Sequence, residues 1–336
     1  MRTAARAYLV IGLLGLAAYV AVGGSDLLYE AYGHAAWIAI AVGVLRNRPE
    51  CRAGWWLVAA TMALFGTADA VYFSGYSGGA PFPSVADALY MAGDVTFGAG
   101  VLALAGGTIR RDALTLADSA VLSLALGLFL WSAFFTGALG DGHGLARVVS
   151  IAYPVLDLLM LTVLVRVLLA KGRKTASYYL LGASMLLLVL SDAWYVVPAM
   201  TENYVAGTWR DAGWLASYVL AGTAALHPSM RSFVARRYEV IPVRRVVLLG
   251  SSLVLVALAA ILQKAFQGEV DLYAFAGFGG VMAAFSTVRV VGLVRILEST
   301  RRKAEESERR FRMVFEHSPI GISVGRDGLM METNPA

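Results

Sequence analysis

Residues 290–315 read VVGLVRILESTRRKAEESERRFRMVF, an apolar segment that runs directly into a strongly charged one. The stretch contains no proline, and no glycine follows Gly292, so it holds no residue that would break a helix. It therefore predicts a single helix that leaves a membrane and continues in water to about Phe315. Such a helix requires a membrane-embedded body in the residues before it.

The composition of the whole chain predicts that body. Hydrophobic residues make up 58% of the chain and charged residues 15%, and the mean hydropathy is +0.66. Soluble domains contain roughly 45–50% apolar and about 25% charged residues. The apolar residues fall into blocks of about 20, enough for a helix to cross a hydrocarbon core of ~30 Å. Because lipid offers no hydrogen bonds to the backbone, we predict an all-α polytopic membrane protein.

We predict ten membrane spans from these blocks. They cover residues 5–22, 28–45, 54–74, 85–106, 114–136, 148–170, 178–199, 211–227, 246–263 and 272–297. Basic residues cluster in alternate connections, as they do on the cytoplasmic side of membranes. The clusters are Arg46, Arg48 and Arg52; Arg110 and Arg111; Lys171, Arg173 and Lys174; Arg231, Arg236, Arg237, Arg244 and Arg245; and Arg301, Arg302 and Lys303. This pattern predicts a multi-pass protein of the cytoplasmic (plasma) membrane with both termini in the cytoplasm.

Tyrosines mark an internal repeat within the spans. Tyr29, Tyr90, Tyr153 and Tyr218 each open a span on the outer side, at similar intervals, and a basic cluster follows each of them. Two of the returning spans end with similar five-residue motifs, ADAVY at 68–72 and SDAWY at 191–195. The simplest interpretation is four copies of a two-helix hairpin, made of spans two to nine.

The charged part of 290–315 predicts contact between two copies of the chain. Leu297, Ala304 and Phe311 recur every seven residues, which is a weak a/d seam for a parallel coiled coil. Acid-first pairs at i,i+4 support the helix; they are Glu305–Arg309, Glu306–Arg310 and Glu308–Arg312. We expect a parallel homodimer through this helix, with a solvated stop-transfer helix as the alternative. Arg289 is a candidate to pair with an acid on another helix, so the predicted signal-relay residues are Arg289, Leu297, Ala304 and Phe311.

The residues after this helix predict a β-hairpin. His317-Ser318-Pro319 ends the helix. Two short segments, 320–324 and 329–332, flank a turn that contains Asp-Gly, which is a hairpin signal. We therefore divide the chain into a transmembrane sensor domain (1–297), a cytoplasmic linker helix (298–315) and the incomplete start of an α+β module (316–336).

The motifs FRMVFEHSPIGISV, DG and NPA in residues 311–336 resemble the opening of a PAS domain. In that family a short helix leads into the first two strands, and Asn-Pro-Ala opens the next helix. The resemblance covers the first part of the module, without its remaining strands or its ligand pocket. It implies a cytoplasmic PAS-linked output beyond residue 336, and it implies no particular cofactor.

The membrane part carries a second resemblance. PFPSVADALYMAGD (81–94), RVVSIAYPVLDLLMLTVLVRVLL (147–169) and GWLASYVLAGTAALHPSMRSF (213–233) are similar to the multi-span input domain of actinobacterial membrane signalling proteins. Members commonly continue into PAS, GGDEF and EAL domains, which make and degrade cyclic di-GMP, and some carry histidine-kinase outputs. The resemblance implies a bacterial inner-membrane sensor with a diguanylate cyclase/phosphodiesterase output. The sequence has no GGDEF or EAL motif, so we assign no enzymatic activity to this chain.

Acidic residues inside the predicted spans mark a candidate ligand site, because a carboxylate at that depth costs ~2.5–3.5 kcal/mol on insertion scales. The candidate ligand-binding residues are Asp69, Asp94, Tyr153, Asp157, Asp192 and Tyr195. If these spans converge, they form an acidic and aromatic vestibule that suits a small cation or amine arriving from the outer side. The alternatives are an interfacial aromatic belt and aspartates that only hydrogen-bond neighbouring helices.

Other functions have less support in the sequence. The four histidines and one cysteine show no metal-ligand spacing, so we predict no metal site and leave the cofactor unknown. The net charge of +5 follows from the basic connections and predicts no nucleic-acid partner. The alternative function is a ten-span secondary transporter of a small cation or amine.

Overall fold

A computed structural model describes residues 2–76, 81–106, 113–132, 144–168, 173–200, 208–235, 243–321, 323–326 and 329–333. Ten α-helices lie in these residues: α1 Arg2–Ala21, α2 Asp26–Asn47, α3 Arg52–Ser74, α4 Val85–Ala105, α5 Ala113–Leu130, α6 Leu145–Leu168, α7 Ala176–Met200, α8 Ala212–Leu226, α9 Val243–Gln267 and α10 Leu272–Glu316. Four short strands accompany them: β1 Arg173–Lys174, β2 Val234–Ala235, β3 Ser323–Arg326 and β4 Leu329–Thr333.

Seven of these helices are long and apolar enough to cross a membrane: α1, α2, α3, α4, α6, α7 and α10. The apolar parts of α5 and α9 in the described residues, 116–130 and 251–265, are shorter, and α8 has 15 residues. The helices therefore have the lengths and composition of a helical membrane protein. Each of the ten predicted spans coincides with one helix, while a count of ten membrane crossings stays a prediction.

Six helices form a closed ring. α2 contacts α3, α3 contacts α4, α4 contacts α6, α6 contacts α7, α7 contacts α8, and α8 returns to α2. α1 packs against α8, α5 against α6, and α9 against α5. The principal apolar core is built by the ring helices and includes Trp55, Phe97, Leu181 and Leu215, all fully buried.

Glycines allow two pairs of ring helices to approach closely. A Cβ atom on Gly33 of α2 would lie 2.6 Å from the Cα of Gly66 on α3. A Cβ atom on Gly43, also on α2, would lie 2.3 Å from the backbone oxygen of Ala225 on α8. No side chain fits at either position, so small residues set the spacing of these helices, as is common in membranes.

The pattern of contacts between helices repeats after every four helices along the chain. α3 lies between α2 and α4, and α7 lies between α6 and α8, whereas α5 and α9 contact each other. Four identical hairpins would give α5 and α9 the contacts of α3 and α7, and the contacts observed differ from that expectation. The units that match are α2–α5 and α6–α9. Corresponding residues lie 123 or 124 positions apart, as in Asp69 and Asp192, or Asp87 and Asp211.

One end of the ring is covered by residues 227–235, which we call the loop cap. The indole of Trp55 donates a hydrogen bond of 3.3 Å to the backbone oxygen of Met230. Nε of Arg231 donates to the backbone oxygen of Asn47 at 2.8 Å. The loop cap also contains β2, which pairs antiparallel with β1. These bonds join the loop cap to the ends of α2 and α3 and to the segment before α7.

The last helix ends where the sequence predicts, and the hairpin agrees only in part. β3 begins three residues later than the predicted segment 320–324, β4 covers the predicted 329–332, and Asp327-Gly328 of the predicted turn lie outside the described residues. α10 runs without a break for 45 residues and ends at Glu316, before Pro319. Ion pairs link Arg301 to Glu305 at 2.9 Å and Arg312 to Glu308 at 3.0 Å, so one of the three predicted pairs is present and Glu305 has a partner different from the predicted one. β3 and β4 pair antiparallel, with Ser323 opposite Thr333.

The described chain separates into two compact units, Met1–Phe285 and Ser286–Ala336. The first contains the ring and the helices packed on it. A second small apolar cluster in this unit joins α10 to α5 and α9, through Met282 and Phe285 of α10, Val121 and Ala125 of α5, and Leu255 of α9. The second unit contains the remainder of α10 and the β3–β4 hairpin.

Candidate functional site

The first acidic cluster is centred on Asp69 of α3, and we call it the Asp69 cluster. The carboxylate is fully buried. The hydroxyl of Tyr90 on α4 donates to Oδ1 at 2.7 Å, and the hydroxyl of Tyr218 on α8 donates to Oδ2 at 3.2 Å. The ring of Phe65 lies 6.3 Å from that of Tyr90 and 6.1 Å from that of Tyr218. Both carboxylate oxygens therefore have a donor, and aromatic rings enclose them.

Small residues make room for this arrangement. The edge of the Phe65 ring occupies the space where a side chain on Gly93 would lie, since a Cβ there would be 2.3 Å from Cε1 of Phe65. A Cβ on Gly33 would lie 3.3 Å from Oδ2 of Asp69. The close approach of α2 to α3 thus closes the cluster on that side.

Two further aspartates have structural partners near the first turns of α4 and α8. Asp87 accepts from the backbone N–H of Ser84 at 2.7 Å and from the hydroxyl of Tyr153 at 2.9 Å. Asp211 accepts from the backbone N–H of Thr208 at 3.0 Å and from the hydroxyl of Tyr19 at 3.1 Å. Asp87 closes a capping box at the start of α4, and Asp211 closes one in the short 3-10 helix Trp209–Asp211 that precedes α8. Each carboxylate also binds a tyrosine from another helix. These bonds link α6 to α4 and α1 to α8.

The second acidic cluster contains Asp94 of α4, Asp157 of α6 and Asp192 of α7, and we call it the Asp192 cluster. The indole N–H of Trp214 on α8 donates to Oδ1 of Asp192 at 2.7 Å. The carboxyl groups of Asp157 and Asp192 lie close enough to interact with each other. Asp94 interacts electrostatically with Asp192. Among the described residues no group donates a hydrogen bond to Asp94, although Asp94 and Asp157 are each only 6% exposed.

The four-helix repeat relates the two clusters. Asp192 corresponds to Asp69, and Trp214 corresponds to Tyr90. The other two positions differ in charge: Gly33 corresponds to Asp157, and Tyr218 corresponds to Asp94. The Asp69 cluster therefore has one carboxyl group and two hydroxyl donors. The Asp192 cluster has three carboxyl groups and one N–H donor.

The structure brings three of the six predicted ligand residues together, namely Asp94, Asp157 and Asp192. Tyr153 lies one helical turn from Asp157 and donates to Asp87. The ring of Tyr195 lies 5.9 Å from that of Trp214, beside the same cluster. Asp69 belongs to the other cluster, where it is enclosed. The sequence did not predict the roles of Tyr90, Tyr218 and Trp214 as donors. The interval between ADAVY and SDAWY, lengthened by one residue for α4 and α8, pairs Tyr90 with Trp214.

The predicted relay residues all lie on α10, in the unit Ser286–Ala336. Leu297 is 69% and Phe311 51% exposed, and Ala304 is exposed as well. Arg289 is partly buried. The a/d residues predicted to form a coiled coil are therefore exposed in the single chain.

A metal centre and a known family both lack support. In the part of the chain that the structure describes, no three His, Cys, Asp or Glu side chains are placed to hold a metal ion. Comparisons of the sequence and structure with protein-family models, curated proteins and solved structures find no match.

Proposed function

We propose that this chain is the membrane-embedded sensory input domain of a bacterial signal-transduction protein. It receives a stimulus in the helix ring and passes a conformational change through α10 to a PAS-linked cytoplasmic output. The output we expect is a diguanylate cyclase/phosphodiesterase, with a histidine kinase as the second choice. The chain itself has no catalytic role in this proposal.

The observation that carries the proposal is the continuity of α10. The helix begins at Leu272, packs through Met282 against α5 and α9, and runs to Glu316 without a break. A carrier has no evident use for such an extension, whereas a receptor needs a stiff element between its input and its output. A ligand changes the output only by its difference in affinity for two arrangements of this helix.

The exposed seam on α10 supports a parallel homodimer. Leu297, Phe311 and Val314 are apolar and more than half exposed, on the part of α10 that is rich in charged residues. In a dimer these side chains would become buried along the a/d seam. The positions of the basic connections support ten crossings with both termini in the cytoplasm.

Disulfide cross-linking tests the homodimer and the relay together. Cys51 is the single cysteine of the chain, so Cys51→Ser gives a clean background. In native membranes, we expect Leu297→Cys, Ala304→Cys and Phe311→Cys to form intermolecular disulfides rapidly on mild oxidation. The matched controls Arg302→Cys and Arg309→Cys, on the far side of the same helix, should cross-link slowly. Equal rates on both faces, or no cross-linking at the seam, would contradict the proposal.

A further inference from the structure

The start of α10 is fastened to two other helices by a single residue, Asp271. Its carboxylate oxygen Oδ1 accepts a hydrogen bond of 3.0 Å from the backbone N–H of Ala274, so Asp271 caps α10. Its own backbone N–H donates to Oε1 of Gln263 on α9 at 3.1 Å. Its other carboxylate oxygen, Oδ2, accepts from the indole N–H of Trp131, directly after α5, at 3.4 Å. One residue therefore connects α10 to both α5 and α9.

The connection between α9 and α10 is tight. Only residues 268–271 lie between the two helices. Gly268 has a φ of 79°, and its N–H donates to the backbone oxygen of Lys264 at 3.1 Å, which ends α9 in a left-handed turn. Gln263 is 1% exposed, so its bond to Asp271 is shielded from water. These features join α9 and α10 into one hairpin, which we call the α9–α10 hairpin.

The contacts of α10 with α5 continue along one face of the helix. A Cβ atom on Gly127 of α5 would lie 3.4 Å from Cε1 of Phe278. Met282 belongs to one apolar cluster with Val121 of α5. Residues 271, 278 and 282 are spaced by seven and four, which places them on the same face of α10. Apolar contacts are not directional, whereas the bond to Trp131 is, so that bond defines how α10 is rotated against α5.

The same part of α5 also contacts the ring. A Cβ atom on Gly127 would lie 2.6 Å from Cδ1 of Leu158 on α6, so α5 meets α6 and α10 at one residue. Trp131 lies one turn further along the chain, and a displacement of α6 that moves α5 moves this indole as well. The bond of 3.4 Å from Trp131 is long, while the other two bonds of Asp271 have ordinary lengths. It is therefore the bond that opens first when α5 moves.

We propose that Asp271 and Trp131 form a latch between α5 and the α9–α10 hairpin, and that this latch sets the position of α10 against the ring. While the latch is closed, α10 follows α5. When it opens, the hairpin moves as one piece. The closed latch rests on the contacts described above, and its use as the step by which a stimulus in the ring reaches α10 rests on the proposed sensory function.

Two substitutions open the latch from opposite sides. Asparagine caps a helix as well as aspartate does, so Asp271→Asn keeps the bond from Ala274. Its amide nitrogen then faces the indole N–H, and two donors form no hydrogen bond. Trp131→Phe removes the donor and leaves Asp271 unchanged. Trp56→Phe is the matched control, because Trp56 lies on α3 and is 45% exposed.

The test measures the distance between α6 and α10 by double electron–electron resonance on the full chain in lipid nanodiscs. Spin labels are attached at Leu145→Cys and Tyr273→Cys in the Cys51→Ser background, since both positions are strongly exposed at the starts of these helices. We expect one narrow distance distribution with the latch intact and in Trp56→Phe. Asp271→Asn and Trp131→Phe should each give a broad or two-peaked distribution. An unchanged narrow distribution in either latch variant would overturn the proposal.

A second readout separates signal relay from structural support. The rates of intermolecular cross-linking at Leu297→Cys, on the seam, and at Arg302→Cys, on the far side, are compared in each variant. We expect both latch variants to lose the preference for the seam and Trp56→Phe to keep it. A changed distance distribution with an unchanged seam preference would exclude the latch from the relay. No seam preference with the latch intact would contradict the proposed function, and the label distances would still decide whether the latch exists.

Discussion

At the scale of single residues, the two clusters show how a buried carboxyl group is accommodated. Asp69 is enclosed by aromatic rings and receives a hydroxyl on each oxygen. Because both carboxyl oxygens have a donor, we expect this group to stabilise the ring. Asp94 receives no hydrogen bond from the described residues, so residues of the same type meet different environments in the two clusters.

Tyr218→Phe should lower the free energy of unfolding by about 1–2 kcal/mol, because it leaves Oδ2 of Asp69 buried without its donor. Unfolding of the full chain by denaturant in mixed micelles measures the change. Tyr179→Phe is the matched control, since Tyr179 is 59% exposed, and its substitution should have little effect. Equal losses in the two variants would show that the Asp69 cluster contributes no stability.

The sequence predicted which acids lie within the spans, and it did not predict their partners. Depth along a helix follows from residue number, so Asp94, Asp157 and Asp192 were recognised as candidates. Which side chains bond to these acids depends on which helices become neighbours in the fold. Tyr218 reaches Asp69 across 149 residues of sequence, a contact that only the closed ring creates.

At the scale of helices, glycines determine the spacing of the ring. Gly43→Ala should destabilise the chain by about 1–3 kcal/mol, the usual cost of overpacking, because the new Cβ meets the backbone oxygen of Ala225 at 2.3 Å and a backbone atom cannot rotate away. Thermal unfolding in nanodiscs provides the measurement. Gly182→Ala serves as the control, since its Cβ would meet only Leu164 at 3.6 Å, and it should be neutral. A neutral Gly43→Ala would contradict the observed packing of α2 on α8.

Helix boundaries were largely predictable, and helix neighbours were not. The sequence predicted a span over 54–74, and α3 covers Arg52–Ser74; it predicted an end near Phe315, and α10 ends at Glu316. Local signals determine such ends, including Pro319 and the polar connections. The positions of α5 and α9 outside the ring depend on side-chain packing between segments that are distant in sequence. A hairpin repeat in the sequence does not predict that packing.

At the scale of the complete chain, the proposed signal relay depends on α10. The ring and both acidic clusters belong to the unit Met1–Phe285, and α10 is the helix that continues from it to the residues before the hairpin. A change in the ring can act on an output only if α10 stays rigid between Ile296 and Phe315. Its acid–base pairs, such as Arg312–Glu308, support that rigidity in water.

The most direct test is a spin-label scan from Ile296 to Phe315, one cysteine at a time in the Cys51→Ser chain, in lipid nanodiscs. We predict restricted label mobility that oscillates along the whole stretch with a period of about 3.6 residues, with its minima at Leu297, Ala304 and Phe311. Uniformly high mobility beyond Thr300 would mean that the segment is a flexible coil, and the relay through α10 would then be wrong.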